Sequence, residues 1–145
     1  MAQLYELKTF SSDNGNLTVF ENIIPGVIQR VFYIYKAGHG ARAGHRHYKA
    51  WNALICVSGS CQIYVNNGNE EVTYQLSSPS ECLVLKPEDW HVMDHFSEDA
   101  ILLVVSNELY DKDDYIYEPY ATTQQDNKPT AQAFTSKAPI TVYAE

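Results

Sequence analysis

Positive charge is scarce in this 145-residue chain: ten Lys and Arg face eighteen Asp and Glu, for a formal charge of −8. The basic residues are scattered without a block, so non-specific binding to nucleic acid or to an anionic membrane is disfavoured. A local group of arginines in a cleft can still hold a small anion. No apolar run approaches the ~20 residues that a bilayer span requires, and no charged segment followed by an apolar one opens the chain. The expectation is a soluble, cytoplasmic protein. Cysteine is limited to Cys56, Cys61 and Cys82, an odd number without a Cys-x-x-Cys pair. That argues against a zinc site of that type and for reduced, packed thiols. A sustained 3.6-residue apolar stripe, an internal repeat and a low-complexity tract are all missing, so nothing points to long helices.

What the chain does have is tyrosine, eleven of them. Tyrosine suits strands and also lends phenol groups to polar pockets. Short runs rich in β-branched and aromatic residues recur at 17–20, 31–35, 53–57, 62–65, 72–76, 82–85 and 101–105, at roughly 8–12-residue spacing. Turn formers stand between them: Pro25-Gly26, Ser58-Gly59-Ser60, Asn66-Asn67-Gly68-Asn69, Ser77-Ser78-Pro79-Ser80 and Lys86-Pro87-Glu88-Asp89. This pattern predicts an all-β fold, a sandwich or small barrel of jelly-roll type, as one domain over residues 1–120. The acidic and aromatic run 110–115 predicts one short helical turn. Residues 121–133 read as a polar linker, and 140–143 as an added edge strand, here or on a partner subunit, or as a disordered end.

All five histidines fall in two windows, His39, His45 and His47 in one, His91 and His95 in the other. In a strand, His45 and His47 share one face and Arg46 takes the other. If that face is the inside of a barrel, a later strand carrying His91 can meet them there. Two chemistries fit such a cluster, besides a pair of histidines with no chemical role. Three neutral imidazoles can hold a divalent metal, although Tyr48, Lys49, Ala50, Trp51 and Asn52 after His47 supply no carboxylate as a fourth ligand. Proton transfer without metal is the other, with a histidine as shuttle and a hydroxyl or guanidinium stabilising a negative oxygen. Tyr33, in mid-strand, is expected to face inward as such a donor, and Arg30 and Arg42 flank the region as candidate phosphate binders. Trp90 suits either stacking on a base or sugar at the barrel mouth or packing in the core.

Taken together, these residues resemble a known family. Asp13-Asn14-Gly15-Asn16-Leu17, Arg30-Val31-Phe32-Tyr33, Arg42-x-Gly44-His45-x-His47, Val57-Ser58-Gly59-Ser60-Cys61, Trp90-His91-x-Met93, Phe96-Ser97 and Asp113-Asp114-Tyr115-Ile116 are similar, in order and spacing, to the nucleotide-linked sugar 3,4-ketoisomerases. These are cupin enzymes of deoxyamino-sugar biosynthesis. The resemblance covers about residues 6–120. It implies a cupin-type double-stranded β-helix that works as a homodimer, without a metal or other cofactor. The implied substrate is dTDP-4-keto-6-deoxyglucose, and the product is its 3-keto isomer, as for sugars of lipopolysaccharide and S-layer glycans. The resemblance also assigns His47 as the base, His45 as its partner and Tyr33 as a donor near the sugar. Arg42, Asn52, His91, Arg30 and Asn14 would bind substrate. The chain departs from the family at Asn14, where the family has Arg, at Arg46, where it has Ala, and at Asn52, where it has Gln. Two rival readings stand beside the isomerase: a metal-dependent cupin using His45, His47 and His91, and a non-catalytic sugar-nucleotide-binding module.

Overall fold

The computed structural model describes residues 1–121, and the expected linker and the strand at 140–143 lie outside the described residues, except for residue 121. Twelve strands and one 3-10 turn make up this part. They are β1 (Gln3–Glu6), β2 (Thr9–Ser12), β3 (Gly15–Thr18), β4 (Arg30–Tyr35), β5 (Arg42–His47), β6 (Asn52–Ser58), β7 (Cys61–Asn66), β8 (Glu71–Leu76), β9 (Glu81–Leu85), β10 (Trp90–Asp94), β11 (Ile101–Ser106) and β12 (Tyr115–Ile116), with the turn at Lys112–Asp114. Two five-stranded sheets, ordered β1-β9-β6-β11-β4 and β12-β5-β10-β7-β8, carry antiparallel ladders throughout, and β2-β3 forms a separate hairpin. All seven runs expected as strands lie in or overlap observed ones.

Alternation places the core. β7 reads Cys61, Ile63 and Val65 inward against Gln62 and Tyr64, and β5 reads Ala43, His45 and His47 inward. Of these, Ala43, Cys61, Ile63 and Val65 meet Ile34, Leu54, Cys56, Leu83, Leu85, Leu102 and Val104 of the first sheet in one cluster. The first sheet is also covered on its outer face, where Leu7 and Ile24 pack on Ala53, Ile55, Cys82, Val84 and Val105. Strands buried on both faces need apolar residues at every position, which explains the unbroken runs in β6, β9 and β11. Burial also accounts for the cysteines: all three are free and buried, and desolvation pushes the Cys82 thiol up to about 12.

Strand β4 corrects the reading of Tyr33. Phe32 and Ile34 take the inward positions against the core, so Val31, Tyr33 and Tyr35 point outward, and Tyr33 is 63% exposed. Periodicity shows that alternate residues share a face; the packing of Ile34 decides which face is inside.

A bulge shapes β5. His91 of β10 pairs with His45, but the next residue, Val92, pairs with Ala43, leaving Gly44 as the extra residue. Ala43 and Gly44 both have positive φ, at 67° and 77°. For glycine that conformation carries no steric penalty, and bulges of this kind re-aim side chains next to sites.

Candidate active site

His45 and His47 project inward from β5, and His91 faces them from β10 at the register position opposite His45. The His45 ring centroid lies 5.0 Å from those of both His47 and His91, edge-on to each, while His47 and His91 are 6.4 Å apart. All three are buried. Among the described residues, no group of three His, Cys, Asp or Glu side chains is placed to hold a metal ion. His39 and His95 are exposed and stand apart from this cluster.

Hydrogen bonds orient two of the rings. His91 Nδ1 lies 3.0 Å from the Asp89 carbonyl oxygen, which only accepts, so Nδ1 carries the proton. His47 Nδ1 lies 3.1 Å from Asp114 Oδ2, a carboxylate that is 4% exposed. The same carboxylate accepts from the Lys49 amide at 2.8 Å and from the Ala50 amide at 3.2 Å. Three donors converge on this carboxylate, and its contact with His47 fixes the proton of that ring on Nδ1. The basic lone pair of that ring is then on Nε2. Asp114 reaches this place because the 3-10 turn, whose Asp111 side chain accepts from the Asp113 amide, delivers the chain into β12.

Strand β12 adds the wall. Tyr115 pairs with His47 in register, and its ring centroid lies 4.7 Å from both His45 and His47; Tyr117 follows at 6.0 Å from His45. Tyr115 OH accepts from Arg30 Nη1 at 3.4 Å, and the Arg30 guanidinium stacks on Phe32 and Tyr110. Arg30, Asn52 and Ser106 are neighbours across β4, β6 and β11, with Ser106 paired to each of the other two. Together with His47, Asp114 and Tyr115 they line a cavity at this end of the barrel. Trp90 is packed rather than presented at the mouth, its Nε1 donating to the Tyr117 carbonyl at 3.1 Å.

The structure therefore brings His45, His47, His91, Asn52 and Arg30 together. It does not bring Tyr33, which sits on the outer face of β4, or Asn14, which sits in the exposed turn of the β2-β3 hairpin. Arg42 lies at the far end of β5, opposite Met93, and does not line the cavity. Asp114 and Tyr115 are the site residues that sequence reasoning missed. Their signal was present in the motif Asp113-Asp114-Tyr115-Ile116, which carried part of the family resemblance but was given no role at the site.

A double-stranded β-helix with inward histidines from two adjacent strands is a cupin-type barrel. Residues 1–125 match the FdtA family, described as WxcM-like, C-terminal, and the chain belongs to that family. It is 35% identical over 119 residues to the TDP-4-oxo-6-deoxy-α-D-glucose 3,4-oxoisomerase of Aneurinibacillus thermoaerophilus, covering 79% of this chain and 84% of that one. Among solved structures it resembles QdtA, a sugar 3,4-ketoisomerase from Thermoanaerobacterium thermosaccharolyticum in complex with TDP. That match has a TM-score of 0.76 at 38% identity over 81% of this chain and 88% of the other. WlaRA, a TDP-fucose 3,4-ketoisomerase from Campylobacter jejuni, matches with a TM-score of 0.75 at 32% identity, over 81% and 89%.

Proposed function

We propose that the protein is a sugar 3,4-ketoisomerase that converts a dTDP-4-keto-6-deoxyhexose to its 3-keto isomer. The observation that carries this reading is the buried His47–Asp114 pair, at 3.1 Å, opening onto a cavity that also presents Arg30, Asn52 and Tyr115. Family membership supports it, since the relatives described above are named as TDP-sugar 3,4-isomerases.

The chemistry follows from the substrate. The C4 ketone acidifies the C3 proton, and His47 Nε2 removes it while the C3–H electrons form the C3=C4 bond and O4 becomes an oxyanion. Protonation of O4, loss of the O3 proton and return of a proton to C4 then leave the ketone on C3 and a hydroxyl on C4. Nothing is oxidised or reduced overall. A base held in place supplies about 10²–10⁴-fold, and donors aimed at the developing oxyanion supply a comparable amount. Tyr115, beside both imidazoles, takes the donor role that the resemblance gave to Tyr33. His45 supports the charge on His47 and shuttles the proton, with His91 behind it. Arg30 and Asn52 bind the nucleotide-sugar.

The test is incubation with dTDP-4-keto-6-deoxyglucose in D2O, following C3 by NMR. Deuterium at the carbon alpha to the carbonyl and a 3-keto product are expected; neither appearing would sink the proposal.

A homodimer in the cytoplasm completes the reading. Val31, Tyr33 and Tyr35 stand exposed on edge strand β4, beside Ile101, and the β2-β3 hairpin exposes Phe10 and Leu17. Such a face and an unpaired edge call for cover, which a second copy supplies. Three free thiols fit a reducing compartment, and among the described residues no helix is long and apolar enough to cross a membrane. Light scattering at micromolar concentration should give twice the 16.4 kDa chain mass. A monomer there would remove this part of the proposal.

A further inference from the structure

Strand β5 is gripped from both sides by the segment 115–120. On its inner face Tyr115 and Tyr117 cover the imidazoles. On its outer face Arg46, between the two histidines, holds its guanidinium 4.0 Å from the Tyr120 ring centroid and donates from Nη1 to the Tyr120 hydroxyl at 2.7 Å. That hydroxyl donates onward to the Glu88 carbonyl at 2.7 Å. The Tyr120 ring lies against Gly68, where a Cβ would stand 3.0 Å from Tyr120 Cδ1. So the clamp ties β5, the β9-β10 turn and the β7-β8 turn to one tyrosine.

We infer that Arg46 is a positioning residue for substrate binding: by clamping Tyr120 it holds residues 115–120 across the edge of the second sheet and with them Tyr115, which lines the cavity beside His47. The inference rests on the isomerase reading. Strand β12 is two residues long, and beyond it the backbone is held through Trp90 Nε1 on the Tyr117 carbonyl. A guanidinium suits the task because it lies flat on a ring and still offers an N–H to the hydroxyl, which an ammonium does less well. Arg46 also stands where the resembling family carries Ala, so the clamp is not something the resemblance implies.

The clamp and the base are mechanically separate. Asp114 is tied to the Lys49 and Ala50 amides and to its own 3-10 turn, none of which involves Arg46 or Tyr120. Loosening the clamp should therefore change how substrate is held more than how the proton moves.

The experiment compares Arg46→Ala, Arg46→Lys and Tyr120→Phe with the wild type in the full chain, measuring kcat and KM with dTDP-4-keto-6-deoxyglucose and TDP affinity by calorimetry. In Arg46→Ala, KM is expected to rise and TDP affinity to fall by about tenfold, with a smaller fall in kcat because Tyr115 lies in the loosened segment; Arg46→Lys and Tyr120→Phe fall between. An unchanged KM and TDP affinity overturns the inference, including when only the melting temperature drops, and so does a fall in kcat at constant KM. If Arg46→Ala does not fold, the two milder variants decide by the same criteria. If the wild type turns over no 4-keto sugar, the isomerase reading fails on its own; the TDP affinities then decide, with equal values or no wild-type binding overturning the clamp.

Discussion

His47→Asn is expected to lower kcat by about 10³-fold or more and to abolish deuterium incorporation at C3, while TDP still binds. The imidazole is buried, and with its Nδ1 proton held by Asp114 the basic nitrogen of the ring is Nε2. Asparagine is smaller but fills part of the same space and keeps a donor for the carboxylate, so the loss is of the base and not of the barrel. Removing a positioned general base typically costs 10²–10⁴-fold, and His47 is the ring with a carboxylate behind it. The Asp114 contact on its Nδ1 is the structural reason for assigning His47 the role of base. Steady-state kinetics with the NMR exchange assay check this, and a variant that retains wild-type kcat removes His47 as the base.

Asp114→Asn is expected to cost about 10²–10³-fold in kcat with KM little changed, although residue 114 need not touch the sugar. The argument is one of donors and acceptors. Oδ1 accepts from the Lys49 amide, and Oδ2 accepts from both the Ala50 amide and His47 Nδ1. An asparagine side chain has only one oxygen, so whichever way it turns, an NH2 group meets an N–H. If the NH2 faces His47, the ring moves its proton to Nε2 and loses the lone pair that takes the C3 proton. If it faces Lys49, a buried amide is left without an acceptor, at about 1–3 kcal/mol of stability. Nitrogen-15 NMR of the imidazoles distinguishes this from general loosening: the Nδ1–H tautomer of His47 is expected to fall in population. Unchanged tautomer and unchanged kcat together would show that Asp114 only packs.

Both variants show which part of the site was legible before folding. That His45 and His47 share a face follows from the two-residue period of a strand, and it holds in β5 even with the bulge at Gly44. The strands at 53–57, 82–85 and 101–105 were legible because burial on both faces leaves no polar interruption. By contrast β1 and β2, in which most positions are exposed, carry no apolar pattern to detect. The hydrogen bond between His47 and Asp114 spans 67 residues, and no local pattern carries information across such a separation. The direction of Tyr33 was lost for a related reason, because a period assigns partners to a face without saying which face the core will occupy.

By itself, then, the sequence determined the β architecture, the pairing of two imidazoles on one side of a strand and, through an ordered series of motifs, the family. These are properties of local spacing, which survive any arrangement of the strands. Only the tertiary structure decided that Asp114 orients His47, that Tyr115 replaces Tyr33 beside the imidazoles, and that Arg46 reaches across to Tyr120. Each of those depends on where β12 docks, and that is set by closure of the barrel, in which distant segments meet because burying their faces together is more favourable than leaving them in water.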